Sequence, residues 1–388
     1  MKIYRVGGVV RDRLLGRTSK DCDYVVVGST PEEMLRLGYK QVGADFPVFL
    51  HPQSHEEYAL ARTERKQGSG YKGFIVHAAP DVTLEDDLRR RDLTINAMAE
   101  TAEGEVIDPF DGREDLSNRL LRHVSPAFVE DPLRVLRVAR FAARFDFTVV
   151  DETMALMRAM AHSGELDSLT PERVFTETRR ALGEPYPARF FQVLCECDAL
   201  AVLFPEIDGL FGKGILLENA ETDAGLHTLH SLCHAAALGV DEMQRYALLL
   251  LHTGAGDRDV NAAQAFCRRW RAPNDWRDLS VLCIRHRTVC DRALSASPEE
   301  LLVLLQGLDG FRRGERAESV FAVCELNWQA GHPAETAAYP QRALLQQVLR
   351  AAAAQTIADL AAQGHTGPQL AESIRERRLA AIAGVLRR

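Results

Sequence analysis

Up to about Asp111 the chain alternates short apolar runs with glycine and proline, and beyond it apolar residues recur at helical spacing, so the pattern predicts an α/β head followed by helices. Lys2 to Val6 reads as a strand, Gly7-Gly8 as a turn, and the segment after it as a helix. Asp21-Cys22-Asp23 leads into the β-branched run Tyr24 to Val27, a second strand. Phe46 to His51 and Glu56 to Arg62 read as strands joined through Pro52-Gln53-Ser54-His55 in a hairpin. Glu64 to Asp81 is polar and carries Gly68, Gly70 and Gly73, which predicts a mobile loop. Leu88 to Met98, with Arg89, Arg90 and Arg91 in succession, is expected on a helix that turns at least one guanidinium toward a ligand.

Asp131 before Pro132 marks a helix start, with Pro132 at the first helical position and Asp131 as the cap. At about 100° per residue, Arg137, Arg140 and Arg144 share one face of that helix with Arg134 beside them, while Val135, Val138, Ala142 and Phe145 form an apolar stripe. Further helices start at Pro171 and Pro187, and the tail from Leu301 to Arg388 is Ala- and Arg-rich helix broken at Gln363 to Gln369.

Size and charge narrow the partners. With 388 residues and 46% apolar content, the chain has room for two or three cores. A net charge of −8 excludes coating nucleic acid by bulk charge, so any RNA surface must be a local basic face. Eight cysteines without a Cys-x-x-Cys pair point to reduced thiols, and Cys195-Glu196-Cys197 is ill spaced for a zinc knuckle. No apolar run approaches membrane-spanning length and the first residues carry no signal-peptide pattern, so the cytoplasm is the expected setting, without a membrane partner. The sequence sets no oligomeric state.

Candidate chemistry sits on these elements. Asp21 and Asp23, two apart on a strand, leave the same face and can converge on divalent cations, while Gly7-Gly8 and the following helix N-terminus suit a triphosphate. Two Mg²⁺ ions held there would activate a hydroxyl nucleophile and neutralise departing pyrophosphate. Asp131 as acceptor beside Arg134 as donor matches cytosine and adenine, which offer a donor next to an acceptor, whereas uracil and guanine invert that pattern at about 1 to 3 kcal/mol for each mispaired contact.

The span from Val6 to Val27 resembles the signature of polymerase β-like nucleotidyltransferases, and the later motifs resemble those of bacterial class II CCA-adding enzymes of the multifunctional type. That resemblance implies an α+β fold: a nucleotidyltransferase head with a small mixed sheet over residues 1–125, a helical neck over 126–215, a degenerate HD-like domain over 216–330 and a helical tail over 331–388. It implies addition of C, C and A to tRNA from CTP and ATP, with Mg²⁺ on Asp21 and Asp23 and Glu57 as a third carboxylate. Gly8 and Arg11 would hold the triphosphate. Arg91 would contact the nucleotide, Asp92 and Asn96 would meet the ribose or brace the turn, Asp131 and Arg134 would template the base, and Arg137 and Arg140 would support nucleotide and phosphates. Arg65 and Lys66 would charge the loop that reshapes the pocket. A poly(A) polymerase and a CC-only or A-only enzyme are the neighbouring alternatives; Ala61 to Lys66 lacks the basic-aromatic stretch of the first. The HD resemblance has His227 in place, but its His-Asp pair reads His252-Thr253, so His252 and His286 are expected not to bind metal and no metal-dependent phosphohydrolase activity is expected. Arg375, Arg377 and Arg378 are candidates for the tRNA elbow.

Overall fold

A computed structural model describes the chain apart from residues 19–21, 43–47, 67–73, 218–219, 255–258, 333–337, 357–366 and 388. Asp21 and Gln363 to Thr366 therefore lie outside the described residues, as do the side chains of Arg65 and Lys66. The fold is α+β, and the chain divides into two compact units, Met1–Glu177 with Arg189–Leu203, and Thr178–Ala188 with Phe204–Arg388.

The first unit is built on strands β1 (Lys2–Val6), β2 (Asp23–Val27), β3 (Lys40–Val42), β4 (Val48–Leu50) and β5 (Glu57–Leu60). Together with β8 (Ala99–Glu100) and β9 (Val106–Ile107) they form one mixed sheet in the order β3-β4-β5-β2-β1-β8-β9. Among the described residues of this sheet only β2 and β5 run parallel, which places Asp23 opposite Glu57 and Val25 opposite Ala59. Side chains alternate across a strand, so successive valines serve opposite faces. Val25 packs with Val6, Leu88 and Ala97; Val26 packs with Met34, Phe49 and Leu60. Helix α1 (Gly8–Leu14) follows β1, α2 (Pro31–Arg36) supplies Met34, and α3 (Leu84–Arg89) supplies Leu88. Asp23 and Glu57 share the parity of Val25 and Ala59, and so belong to the α3 side of the sheet.

Two local expectations are corrected. The Glu64 to Asp81 segment is not simply a loop: β6 (Thr63–Lys66) and β7 (Phe74–His77) pair as an antiparallel hairpin. The three arginines do not ride one helix, because α3 ends at Arg89 and a 3₁₀ turn over Thr94–Asn96 follows. The Thr83 capping box and three acids in the first turn start α3 early, so Arg90 and Arg91 fall past its last turn.

After α4 (Gly112–Ser117), β10 (Leu120–Leu121) pairs in parallel with β11 (Thr148–Val149) around α5 (Leu133–Phe145). Pro132 adopts helical angles just before α5 and the Asp131 carboxylate accepts the Leu133 N–H at 3.1 Å, so the start forms within one residue of its expected place. Val135, Val138, Ala142 and Phe145 are all buried. Then follow α6 (Asp151–His162), α7 (Pro171–Gly183), within which the unit boundary falls, α8 (Pro187–Glu196) and α9 (Ala199–Leu203).

The second unit is helical, with one departure from the all-helical expectation: β12 (Gly214–Leu217) and β13 (Ala220–Asp223) form a hairpin just before α11 (Ala224–Ala237). Around α11 stand α12 (Glu242–Leu250), α14 (Asn274–Asp291) and α16 (Gly314–Ala330), which pack on one another. α10 (Pro205–Asp208) opens the unit's main segment, α13 (Asn261–Arg269) and α15 (Pro298–Gly307) lie between the larger helices, and α17 (Pro340–Ala353) and α18 (Gly367–Leu386) pair at its end. Among the described residues no helix is long and apolar enough to cross a membrane.

Candidate active site

The first unit opens into a cleft of about 600 Å³ lined by Gly7, Gly8, Asp23, Asp92, Asp131 and eight arginines. Three further acids, Asp12, Asp87 and Glu177, stand behind it as arginine partners. Eight cations against six acids leave the cleft positive in a chain whose net charge is −8. Positive charge is thereby concentrated in one place, as the local basic face that the net charge requires of any RNA surface.

At one wall the chain turns from β1 into α1. Gly7 has φ +71, and its N–H donates to the Met98 carbonyl at 3.1 Å. A Cβ there would lie 2.7 Å from Arg91 Nη1, the end of a side chain that can shift, so the demand for glycine comes from the backbone angle. Gly8 differs, because a Cβ would meet only Arg11 Nη2 at 3.5 Å. Gly7→Ala should therefore cost about 1 to 3 kcal/mol in thermal unfolding, while Gly8→Ala should be neutral or slightly stabilising.

The cleft arginines are held by partners within the fold. Arg11, only 3% exposed, donates to Asp12 at 2.9 and 2.8 Å and to Asn96, and its guanidinium lies 4.9 Å from the Phe145 ring centroid. Burial lowers its pKa, against which the Asp12 charge pulls upward. Arg144 reaches the other Asp12 oxygen at 3.0 Å. Asp87, fully buried, binds Arg90 at 2.7 Å and Arg91 at 3.3 Å; burial pushes its carboxyl up, but the two guanidinium charges prevail and hold it below the usual range. Asp92 is a second such junction. Its Oδ1 accepts from the Leu93 N–H at 2.9 Å and Asn96 Nδ2 at 3.0 Å, and its Oδ2 accepts from Arg137 at 2.8 and 2.7 Å. Burial again acts upward and is outweighed by Arg137 and Asn96, which leaves the Asp92 carboxyl well below its ordinary range. Of the two roles open for Asp92 and Asn96, these contacts describe the bracing one.

Along α5, Arg140 pairs with Glu177 of α7 at 2.7 Å, both buried, and stacks 4.7 Å from the Phe141 centroid. Arg134 donates to the Ala127 carbonyl at 2.9 Å and to the Arg90 carbonyl. Asp131, next to it, accepts from Arg173 on both oxygens, at 3.3 and 3.1 Å. No motif in the sequence marks Asp12, Asp87, Arg173 or Glu177 individually. Arg173 and Glu177 are four apart near the start of α7, a spacing that places both on one helix face, which was the available signal.

Asp23 is exposed and faces the cleft, with Glu57 exposed at the adjacent register of β5. Two carboxylates at neighbouring strand positions supply hard oxygen donors of the kind Mg²⁺ takes, and so fit such an ion. Among the described residues no group of three or more ligating side chains gathers, Asp21 being outside them.

The second unit has its own polar cluster. His227 and His252 both direct Nε2 at Asn327 Oδ1, at 2.9 and 2.8 Å, and Arg287 approaches His252 Nδ1 at 2.7 Å. With Nε2 donating and Nδ1 accepting, His252 is neutral, and burial first, then the Arg287 charge, holds its pKa well below the ordinary value. Thr253 spends its hydroxyl on the Leu250 carbonyl at 2.8 Å.

Comparison with known proteins bears on both units. The family described as "Poly A polymerase head domain" matches residues 3–122, and "Probable RNA and SrmB- binding site of polymerase A" matches 146–210. The chain is 52% identical over 98% of both chains to a multifunctional CCA protein of Thioalkalivibrio sulfidiphilus, and 51% identical over 98% of both to that of Nitrosococcus oceani. Among solved structures, the Bacillus stearothermophilus CCA-adding enzyme in complex with CTP is similar with a TM-score of 0.66 and 25% identity, over 98% of this chain and 89% of that one. The Thermotoga maritima CCA-adding enzyme complexed with tRNA shares the fold, with a TM-score of 0.64 and 22% identity over 100% and 91% of the two chains.

Proposed function

This chain belongs to the multifunctional CCA protein family, and we propose on that footing how its cleft carries out the family's reaction. The protein is a nucleotidyltransferase that adds C, C and A to the 3′ end of tRNA from CTP and ATP without a nucleic-acid template. In each round the 3′-hydroxyl of the tRNA attacks the α-phosphorus, a new P–O bond forms, the bond to the β-phosphate oxygen breaks, and pyrophosphate leaves.

In our reading Asp21 and Asp23 hold Mg²⁺ with Glu57 as third carboxylate, and the ion, when bound, supplies charge neutralisation and an activated hydroxyl. Gly8 receives the triphosphate at the start of α1, and Arg11 fixes that turn through Asn96 and Asp12 as well as supplying charge. Arg91, Arg137 and Arg140 hold the nucleotide and its phosphates. Asp131 and Arg134 read the base edge, carboxylate to amino group and guanidinium to ring nitrogen. The observation that carries this reading is one cleft holding Asp23 at the start of β2 and the Asp131–Arg134 pair at the start of α5. We assign residues 1–125 to the catalytic head, 126–215 to the neck, 216–330 to the HD-like body and 331–388 to a tail that meets the tRNA elbow through Arg375, Arg377 and Arg378, in a protein that meets its tRNA in the cytoplasm.

Trimmed tRNA supplied with one nucleotide at a time tests the reading. With CTP alone two residues should be added; with ATP alone, tRNA ending in CC should gain one A and stop. A ladder of A residues would make the protein a poly(A) polymerase instead, and arrest after CC with both nucleotides present would make it a partial enzyme.

The second unit is proposed to lack metal-dependent phosphohydrolase activity, because its imidazoles converge on an amide oxygen with a guanidinium beside them. A 2′,3′-cyclic phosphate incubated with the protein and Ni²⁺, Mn²⁺ or Co²⁺ should stay intact within the background rate; robust turnover would contradict this.

A further inference from the structure

We propose that Arg173 is a positioning residue for nucleotide selection, holding the Asp131 carboxylate in the orientation that reads the base. The inference rests on the reading of Asp131 and Arg134 given above. Asp131 lines the cleft, whereas Arg173 does not, so Arg173 reaches the carboxylate from outside the nucleotide's space. Two anchors fix that carboxylate. Its Oδ1 accepts the Leu133 N–H at 3.1 Å, within its own helix start, and Arg173 Nη2 spans Oδ1 and Oδ2 at 3.3 and 3.1 Å. The Arg173–Asp131 side chains are 24% and 23% exposed, so the pair is shielded enough to be directional and open enough to leave an edge for a ligand.

The chemistry follows from what a pinned acceptor does to the wrong base. A carboxylate free to swing can turn away from the carbonyl oxygen of uracil or guanine and accept water instead, which removes the penalty that excludes them. Held from two sides, it cannot withdraw. It then rewards the amino groups of cytosine and adenine and repels the carbonyls of their competitors, so discrimination comes from the unpaired acceptor as much as from the correct contact. Arg173 sits in the first turn of α7, where its backbone N–H bonds the Thr170 carbonyl at 3.1 Å, so the guanidinium is delivered from an ordered helix start.

The test compares Arg173→Ala, Arg173→Lys, Asp131→Ala and the Asp131→Ala/Arg173→Ala double variant in the full chain, reading kcat/KM for CTP against UTP and for ATP against GTP, with melting temperatures alongside. Arg173→Ala should lower both selectivity ratios roughly tenfold or more, chiefly by raising KM for CTP and ATP. Arg173→Lys should recover part of the loss. In the Asp131→Ala background, removing Arg173 should change selectivity less than about twofold, since an effect transmitted through a missing carboxylate has nowhere to act. Selectivity unchanged in Arg173→Ala while Asp131→Ala loses it would overturn the positioning role and leave the base-reading pair standing. Selectivity retained in Asp131→Ala would overturn both. A drop in melting temperature and total incorporation with the ratios intact would mark Arg173 as a structural contact and overturn the proposal.

Discussion

Asp23→Asn should lower incorporation of CMP and AMP into trimmed tRNA by about a thousandfold or more, equivalent to roughly 4 kcal/mol of transition-state stabilisation. The replacement keeps the shape of the side chain and removes the negative charge that attracts a divalent ion. Asp23 is exposed at the start of β2 and pairs in register with Glu57 rather than carrying the core, so the melting temperature should not move measurably. Nucleotide binding should persist, because phosphate charge is met by arginines from α1, from the segment after α3 and from α5. The check is single-turnover incorporation of labelled CMP together with equilibrium binding of CTP and tRNA. Incorporation within tenfold of the unaltered protein would remove Asp23 from the reaction; loss of CTP binding in step with incorporation would make it a binding residue.

The elements that the chain announced most clearly are those whose local chemistry and tertiary role agree. β1, β2, the β4–β5 hairpin and α5 each combine the right apolar period with an unmistakable terminus, and each forms where expected within a residue or two. The run Arg89 to Arg91 misled because charge says little about helix ends; the capping box at Thr83 and Asp86 decides where α3 begins and so where it is spent. Glycines and polar residues likewise hide β6, whereas β7 carries a short β-branched signal in Phe74-Ile75-Val76 that the composition of the whole segment masks. In the cleft, a run of lining residues is legible in the sequence and the partners that hold them are not. Asp131, Arg134, Arg137 and Arg140 stand on one short stretch with a readable periodicity. Their partners arrive from distant segments: Glu177 is 37 residues after Arg140, Asp92 is 45 before Arg137, and Asp12 is 132 before Arg144. Pairing across such separations is a property of the fold, and no local spacing encodes it.

That network also names a replacement that should damage the first unit severely. Arg140 and Glu177 are 7% and 3% exposed, and each is positioned to neutralise the other at 2.7 Å. Arg140→Met would leave the Glu177 carboxylate buried without the guanidinium that stands 2.7 Å from it, at a cost of about 3 to 5 kcal/mol. For a unit of this size that is a large share of its margin over unfolding. Converting both, Arg140→Met with Glu177→Met, removes the orphaned charge and should restore most of the lost stability, since methionines of similar length fill the same space. Function should part company with stability at that point. If Arg140 also supports the bound nucleotide, the double variant should melt near the unaltered protein yet bind CTP and ATP at least about tenfold more weakly, because the cleft has lost one of its cations. Denaturant unfolding followed by nucleotide titration of all three proteins separates the two contributions. A double variant that regains both stability and affinity would confine Arg140 to holding α5 against α7, and would pass its share of the phosphate charge to Arg91 and Arg137.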